Sequence, residues 1–229
     1  LLRCLINLGP GYIKFGQALS TRPDLVDKKT CEYLKKLQDD MEPFSSSIAK
    51  KIIEKENHDS IDNIFSSFNE KPIANASVAQ VHTAILKSGE TVAIKILKPN
   101  IKEKLFKDFI FFYWVSKCLE IAIPSIKRLK LSKNVEVLSE VSLNELDLTL
   151  EASAAEELSE NFKDNPNYKV PKIYWELTSK KMLVLEYIKG IRIDDINALK
   201  KANHNIKKIT EIGTEVFILQ VFRDGFFHG

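Results

Sequence analysis

Between Ser77 and Leu97 the chain changes its periodicity, and that change most limits what it can fold into. Val78-Ala79-Gln80-Val81-His82-Thr83-Ala84-Ile85-Leu86 and Thr91-Val92-Ala93-Ile94-Lys95-Ile96-Leu97 are β-branched runs joined by Lys87-Ser88-Gly89-Glu90. Two such runs around a short polar turn with glycine form a β-hairpin. On either side the apolar spacing is helical. Residues 1–40 read as two or three helices, broken at Gly9-Pro10-Gly11 and at Ser20-Thr21-Arg22-Pro23, where hydroxyl residues before a proline signal a helix start. Residues 45–55 form a helix with Ser45 as cap and Ile48, Ile52 and Ile53 facing inward, residues 61–68 read as short and helical, and Pro72 ends the section. Residues 98–123 form an aromatic-rich helix closed by Pro124, and residues 134–161 one long helix free of glycine and proline. Two short strands follow, 172–175 and 181–187, then Gly190, a loop and a last helix from about 206 to 223. Helices, hairpin, helices, strands, helices is an α+β order, without the strand–helix alternation of a doubly wound sheet.

The 229 residues suffice for one large domain or two small ones, and the 44% apolar and 28% charged content is that of a globular chain. A net charge of +3, with only 5 arginines among 34 basic residues, gives no sign of a nucleic-acid partner. Cys4, Cys31 and Cys118 form no C-x-x-C, which suits a reducing compartment, and His58, His82, His204 and His228 lack zinc-site spacing. The longest apolar run, Phe109 to Val115, is far short of the roughly 20 residues that span a bilayer. No signal peptide is visible, and a first residue Leu, already helical in pattern, raises the expectation of sequence upstream.

Val92-Ala93-Ile94-Lys95 carries the sharpest chemical signal. A lysine on the second strand of a hairpin matches the V-A-I-K strand of protein kinases, where the ammonium holds phosphates and pairs with a helix glutamate. An outward lysine on an ordinary edge strand has the same letters. Glu145, Asp147 and Glu151 offer carboxylates, with Asp147 and Glu151 four apart on one face; close packing of Glu151 beside Ala152, Ala154 and Ala155 is the competing reading, and Glu156, Glu157 and Glu160 form a solvated face. Ile73-Ala74-Asn75-Ala76-Ser77-Val78-Ala79-Gln80-Val81 occupies the place of a kinase G-x-G-x-x-G loop, so it is either an altered nucleotide loop or an ordinary lead into a strand. Gly9, Gly11 and Gly16 follow no strand and mark a helix break. Met182 to Gly190 reads as a buried strand leading to a linker, where backbone around Glu186 and Ile188 would meet adenine in a kinase.

Together these motifs resemble the UbiB family of atypical kinases, the protein-kinase-like family of ubiquinone biosynthesis, along essentially the whole chain. Lys14-Phe15-Gly16-Gln17 looks like the family's K-x-G-Q motif, residues 72–82 like its Ala-rich nucleotide loop, and Glu145-Leu146-Asp147 like its E-x-D motif. Lys95 falls at its phosphate lysine and Glu151 at that lysine's partner, and Val221-Phe222-Arg223-Asp224-Gly225-Phe226-Phe227-His228 resembles the approach to its catalytic loop.

The resemblance implies a two-lobed kinase-like fold: a helical extension over 1–70, a kinase-like N-lobe with inserted helices and hinge over 71–190, and the start of an incomplete C-lobe over 191–229. Lys95 and Glu151 would be catalytic. Ile73, Ala74, Asn75, Ala76, Ser77, Val78, Ala79, Gln80, Val81, Lys95, Glu186 and Ile188 would bind ATP, and Lys14, Gln17, Glu145 and Asp147 would form a regulatory cluster over the site, leaving little room for a peptide. Asn75 departs from the family's small residue, with nucleotide preference as the property at stake. The family continues H-A-D-x-H-P-G-N and later D-F-G, whereas the sequence ends at His228-Gly229. The catalytic Asp and the Mg ligands would lie beyond it, so these residues alone are expected to be inactive. Implied partners are a nucleotide and ubiquinone precursors or a biosynthetic complex, at the cytoplasmic face of the inner membrane. Membrane-surface binding is a further reading of Phe106, Phe109, Phe111, Phe112, Tyr113 and Trp114 with Lys102, Lys104, Lys107, Lys127, Arg128 and Lys130. The alternative function is a non-catalytic module binding lipid or a complex.

Overall fold

The computed structural model describes residues 2–37 and 42–227. The hairpin forms as β3 (Ala79–Leu86) and β4 (Thr91–Leu97), in register from Ala79 opposite Leu97 to Ile85 opposite Thr91. Gly89 turns it with a φ of +95°, a conformation that costs glycine little. β1 (Phe65–Phe68) and β2 (Ala74–Asn75) pair with β3, and β5 (Met182–Glu186) pairs with β4. The sheet runs β1-β3-β4-β5 with β2 also on β3, and every pairing is antiparallel.

β4 is central because alternate side chains enter two apolar layers. Val92, Ile94 and Ile96, all fully buried, pack on Ala49 and Ile53 of α4 (Ser46–Asn57). On the other face, Leu97 joins Ala79 and Leu183 against Leu105 and Phe109 of α6 (Ile101–Ala122) and Leu148 and Ala152 of α8 (Leu148–Asn161). Each fully buried aliphatic side chain contributes about 1.5–3 kcal/mol. Lys95 shares parity with Leu97 and so leaves the sheet toward α8. Residues 49–68 also pack into the first layer, so the sheet draws on chain before residue 70.

Several local expectations change. Residues 61–68 divide into a short helix α5 (Ile61–Ile64) and β1, because the open edge of β3 takes backbone partners that a helix would withhold. The expected single helix over 134–161 is two, α7 (Leu131–Asn144) and α8. Asp147 makes the break: its carboxylate accepts from the Thr149 N–H at 3.2 Å and the Thr149 hydroxyl at 2.5 Å, capping α8. In the first section α1 (Leu2–Leu8) and α2 (Pro10–Ser20) form, but Pro23 opens no helix. Ser20 and Thr21 instead donate backward to the Gln17 and Ala18 carbonyls at 2.6 and 2.9 Å, closing α2. The next helix, α3 (Lys28–Lys35), starts where Asp27 accepts from the Thr30 N–H at 3.1 Å.

In α4 the Ser45 hydroxyl meets that of Ser47 rather than a backbone amide, and Ile48 is exposed while Ala49 takes the inner position. Residues 172–175 make one bridge, Ile173 to Leu185, and then a 3-10 turn. The expected loop after Gly190 contains α9 (Ile196–Lys201), and α10 (Ile206–Ile218) runs on as a π-turn to Arg223. His228 lies outside the described residues. Among them, no helix is long and apolar enough to cross a membrane.

Candidate functional site

Lys95 and Glu151 meet. The Lys95 ammonium donates to Glu151 Oε2 at 2.6 Å, with the two side chains 27% and 39% exposed. Each is positioned by what surrounds it: buried Ile94 and Ile96 fix the strand, while buried Leu148 and Ala152 seat the first turn of α8 on the same layer. An ion pair this open adds only about 0.2–1 kcal/mol, so its placement matters more than its stability. A cavity of about 200 Å³ lies beside Glu151, lined by Ala155, Leu158, Tyr168, Val170, Leu183 and Leu185.

Of the three acids that sequence left open, α8 presents Glu151 to Lys95 and commits the others elsewhere. Asp147 caps the helix and pairs with Lys180 at 3.1 Å; Thr149 and then Lys180 hold its carboxyl below the usual range. Glu145, in the break between α7 and α8, accepts from Lys14 of α2, whose side chain is 12% exposed. Gln17, expected in the same cluster, instead donates to the Leu37 carbonyl at 2.8 Å.

The approach of α2 rests on two glycines. The Gly11 N–H donates to Asp108 Oδ2 at 2.9 Å, and a Cβ at Gly11 would stand 2.4 Å from Asp108 Cβ. At Gly16 it would stand 2.5 Å from Leu37 Cδ1. Tyr12 and Phe15 complete the contact on Phe112, with centroids 4.6 and 5.6 Å away. Asp108 as a partner of α2 was not anticipated; only its place on the inward face of α6 could have suggested it. Burial raises its carboxyl, partly offset by the Gly11 hydrogen bond.

The Ala-rich segment is a tight strand–turn–strand. The Ile73 N–H bonds the Val81 carbonyl and the Ala76 N–H the Ala79 carbonyl, both at 2.8 Å, placing Ser77 and Val78 at the corner. Asn75 Oδ1 is buried without a hydrogen-bond partner among the described residues. Val81 stands opposite Lys95, whereas Gln80 and His82 stand opposite Ile96 and Ile94 and so occupy the other face. Gln80 Oε1 accepts from the Phe44 N–H at 3.0 Å, its amide lies 2.8 Å from His82 Nε2, and His82 Nδ1 lies 2.9 Å from the Asn69 carbonyl. Both side chains are fully buried, on the sheet face away from Lys95.

At the far end of β5, Glu186 pairs with Lys169, which holds its carboxyl below the usual range. The Glu186 and Tyr187 N–H groups are taken by the Lys172 and Thr91 carbonyls at 2.8 and 3.1 Å, while Ile188 is exposed. The residues fit a nucleotide: a lysine aimed by a carboxylate, a narrow turn across from it, and one unsatisfied buried acceptor in that turn. No group of three His, Cys, Asp or Glu among the described residues stands ready for a metal ion.

A five-stranded antiparallel sheet with a strand lysine paired to a helix glutamate defines a kinase-like lobe. The chain belongs to the ABC1 atypical kinase-like family, whose domain matches residues 36–229. Relatives named "Probable protein kinase UbiB" are 44% identical over 97% of the chain in Shewanella woodyi and 42% identical over all of it in Cellvibrio japonicus. The chain spans 41% of the length of each. A solved structure titled as the complex of Rv3197 with erythromycin, from Mycobacterium tuberculosis, superposes with a TM-score of 0.50 at 28% identity, covering 79% of this chain and 45% of that one.

Proposed function

We propose that this chain is the ATP-binding part of a UbiB-type atypical kinase or ATPase that supports ubiquinone biosynthesis. The observation that carries the reading is the 2.6 Å Lys95–Glu151 pair on the sheet face that also bears Val81. Glu151 aims the ammonium, Lys95 holds phosphate oxygens, and the Ala76–Ala79 turn lies over them with small side chains that let the backbone approach. The Ile188 N–H, which has no backbone acceptor among the described residues, would meet adenine. Mg, held by residues that the family places after His228, would neutralise phosphate charge during transfer. Residues 1–229 alone therefore bind nucleotide without turning it over.

The Lys14–Glu145 pair supports a regulatory role for α2, which covers the break beside the site and narrows the entrance for a peptide. A small or lipid-linked acceptor, such as a ubiquinone precursor, suits that entrance better. Residues 1–70 form the helical extension, 71–190 the kinase-like lobe and hinge, and 191–229 the start of the second lobe, with residues 49–68 of the extension packed on the sheet. Phe106, Phe111 and Trp114 on α6 are at least half exposed, which favours peripheral contact with the cytoplasmic face of the inner membrane or with a biosynthetic complex.

Titration calorimetry with ADP and ATP tests the reading. Lys95→Ala is expected to weaken binding about tenfold or more, as loss of a charged hydrogen bond requires, while thermal stability falls by no more than about 1 kcal/mol. Equal affinity in the two proteins would remove Lys95 from the nucleotide site.

A further inference from the structure

Away from Lys95, a cavity of about 530 Å³ lies where the start of α2, the Ser77 corner and the first two turns of α6 meet. Lys98, Lys104 and Lys107 line it, and none of the three ammoniums has an ion-pair or hydrogen-bond partner among the described residues. Lys104 and Lys107, three apart, share one face of α6. Asp108 is also on the wall, but its carboxylate receives the Gly11 N–H at 2.9 Å and forms no ion pair with the lysines. Glu42 is the other acidic residue on the wall among the described residues. Burial, and then the charge of Lys104, push the Lys98 ammonium below its ordinary range, the mark of a cation that lacks a counter-charge.

We infer that this cavity binds a phosphate-bearing anion through Lys98, Lys104 and Lys107, at a site separate from Lys95. Three lysines on one cavity wall supply point charges that suit the several oxygens of a phosphate or diphosphate, more than the two of a carboxylate. The volume admits a diphosphate with room for an attached group. The walls come from three elements: Gly9 and Pro10 open α2, Ser77 belongs to the Ala-rich corner, and the Lys98 N–H donates to the Val78 carbonyl at 2.8 Å. A bound anion would therefore tie α2, which carries Lys14, to the turn opposite Lys95. The inference does not depend on nucleotide binding at Lys95.

Titration calorimetry with pyrophosphate on the 229-residue chain tests it, comparing the parent, Lys95→Ala and the double variant Lys104→Ala/Lys107→Ala. Lys104 and Lys107 are exposed, so the double variant is expected to keep the parent's unliganded melting temperature. Lys95→Ala should keep the binding that belongs to this cavity, whatever phosphate its own site loses, and the double variant should lose it by about tenfold or more. Lys98→Gln, which keeps the stem and removes the charge, should lose a similar factor. Unchanged affinity in the double variant, or loss of binding in Lys95→Ala alone, would overturn the site. Sedimentation with phosphatidic acid vesicles in phosphatidylcholine, competed by pyrophosphate, would assign the anion to a lipid headgroup; pyrophosphate binding without sedimentation would assign it to a soluble phosphate.

Discussion

Replacing Gly11 by alanine adds one methyl group where α2 crosses α6. The new carbon would lie 2.4 Å from Asp108 Cβ and 2.8 Å from Oδ2, against an ordinary contact of 3.4–4 Å. Asp108 Cβ is fixed by the backbone of α6 and has no rotamer to escape into, so α2 must withdraw by about 1 Å. Overpacking of this kind costs about 1–3 kcal/mol. Withdrawal also weakens the Gly11 N–H bond to the carboxylate, a class of bond that contributes about 1.5–3 kcal/mol. Alanine's better helix propensity returns about 1 kcal/mol. The net is a loss of about 3 kcal/mol, or about 6–12 °C in melting temperature for a chain of this size.

Gly213, exposed inside α10 with nothing within 4 Å of its added Cβ, supplies the opposite case. Gly213→Ala should stabilise by about 1 kcal/mol and raise the melting temperature by about 2–4 °C. Scanning calorimetry or circular dichroism melts on both variants read the difference directly. If Gly11→Ala melts within 2 °C of the parent or above it, the close approach of α2 to α6 is wrong.

His82 makes stability depend on pH. Burial depresses its folded pKa below 6.5, partly offset by the Nδ1–H donated to the Asn69 carbonyl; with Nδ1 donating, Nε2 accepts from the Gln80 amide, as only the neutral ring can. The unfolded chain then binds the proton first, so the stabilisation is complete above about pH 6.5 and erodes as pH falls below it, by about 1 kcal/mol for one unit. Urea unfolding at pH 7.5 and 5.5 should show this slope in the parent and a flatter one in His82→Gln; equal slopes would refute the assignment. Asp147→Ala should cost about 1 kcal/mol through loss of the α8 cap, whereas Asp147→Asn should cost much less, and equal losses would shift the cause from the cap to the Lys180 ion pair.

The hairpin, the helix α6 and the strand β5 were legible because their signals are local: β-branched runs about a glycine turn, an uninterrupted apolar helix, a short apolar run. Lys95 was legible as a candidate from its strand alone. β1 was not, since Phe65-Ser66-Ser67-Phe68 is extended only because β3 has an open edge beside it. The break in 134–161 was missed for a different reason: no glycine or proline marks it, and the capping side chain of Asp147 ends a pattern that the apolar spacing would continue. The loop motif carries no word on where the Gln80 side chain goes; parity along β3 turns it into the layer away from Lys95.

By itself the sequence determined an α+β chain with a lysine on a hairpin strand, several carboxylates downstream and a small-residue turn ahead of it, since propensity and periodicity act within a few residues of each other. Tertiary structure alone decided which carboxylate Lys95 meets, where Lys14 and Gln17 go, and that three lysines without an ion-pair partner among the described residues border one cavity. Those outcomes depend on which faces of the sheet, α2, α6 and α8 are buried against one another. Burial and hydrogen-bond competition between distant segments settle that, and neither is carried by local spacing.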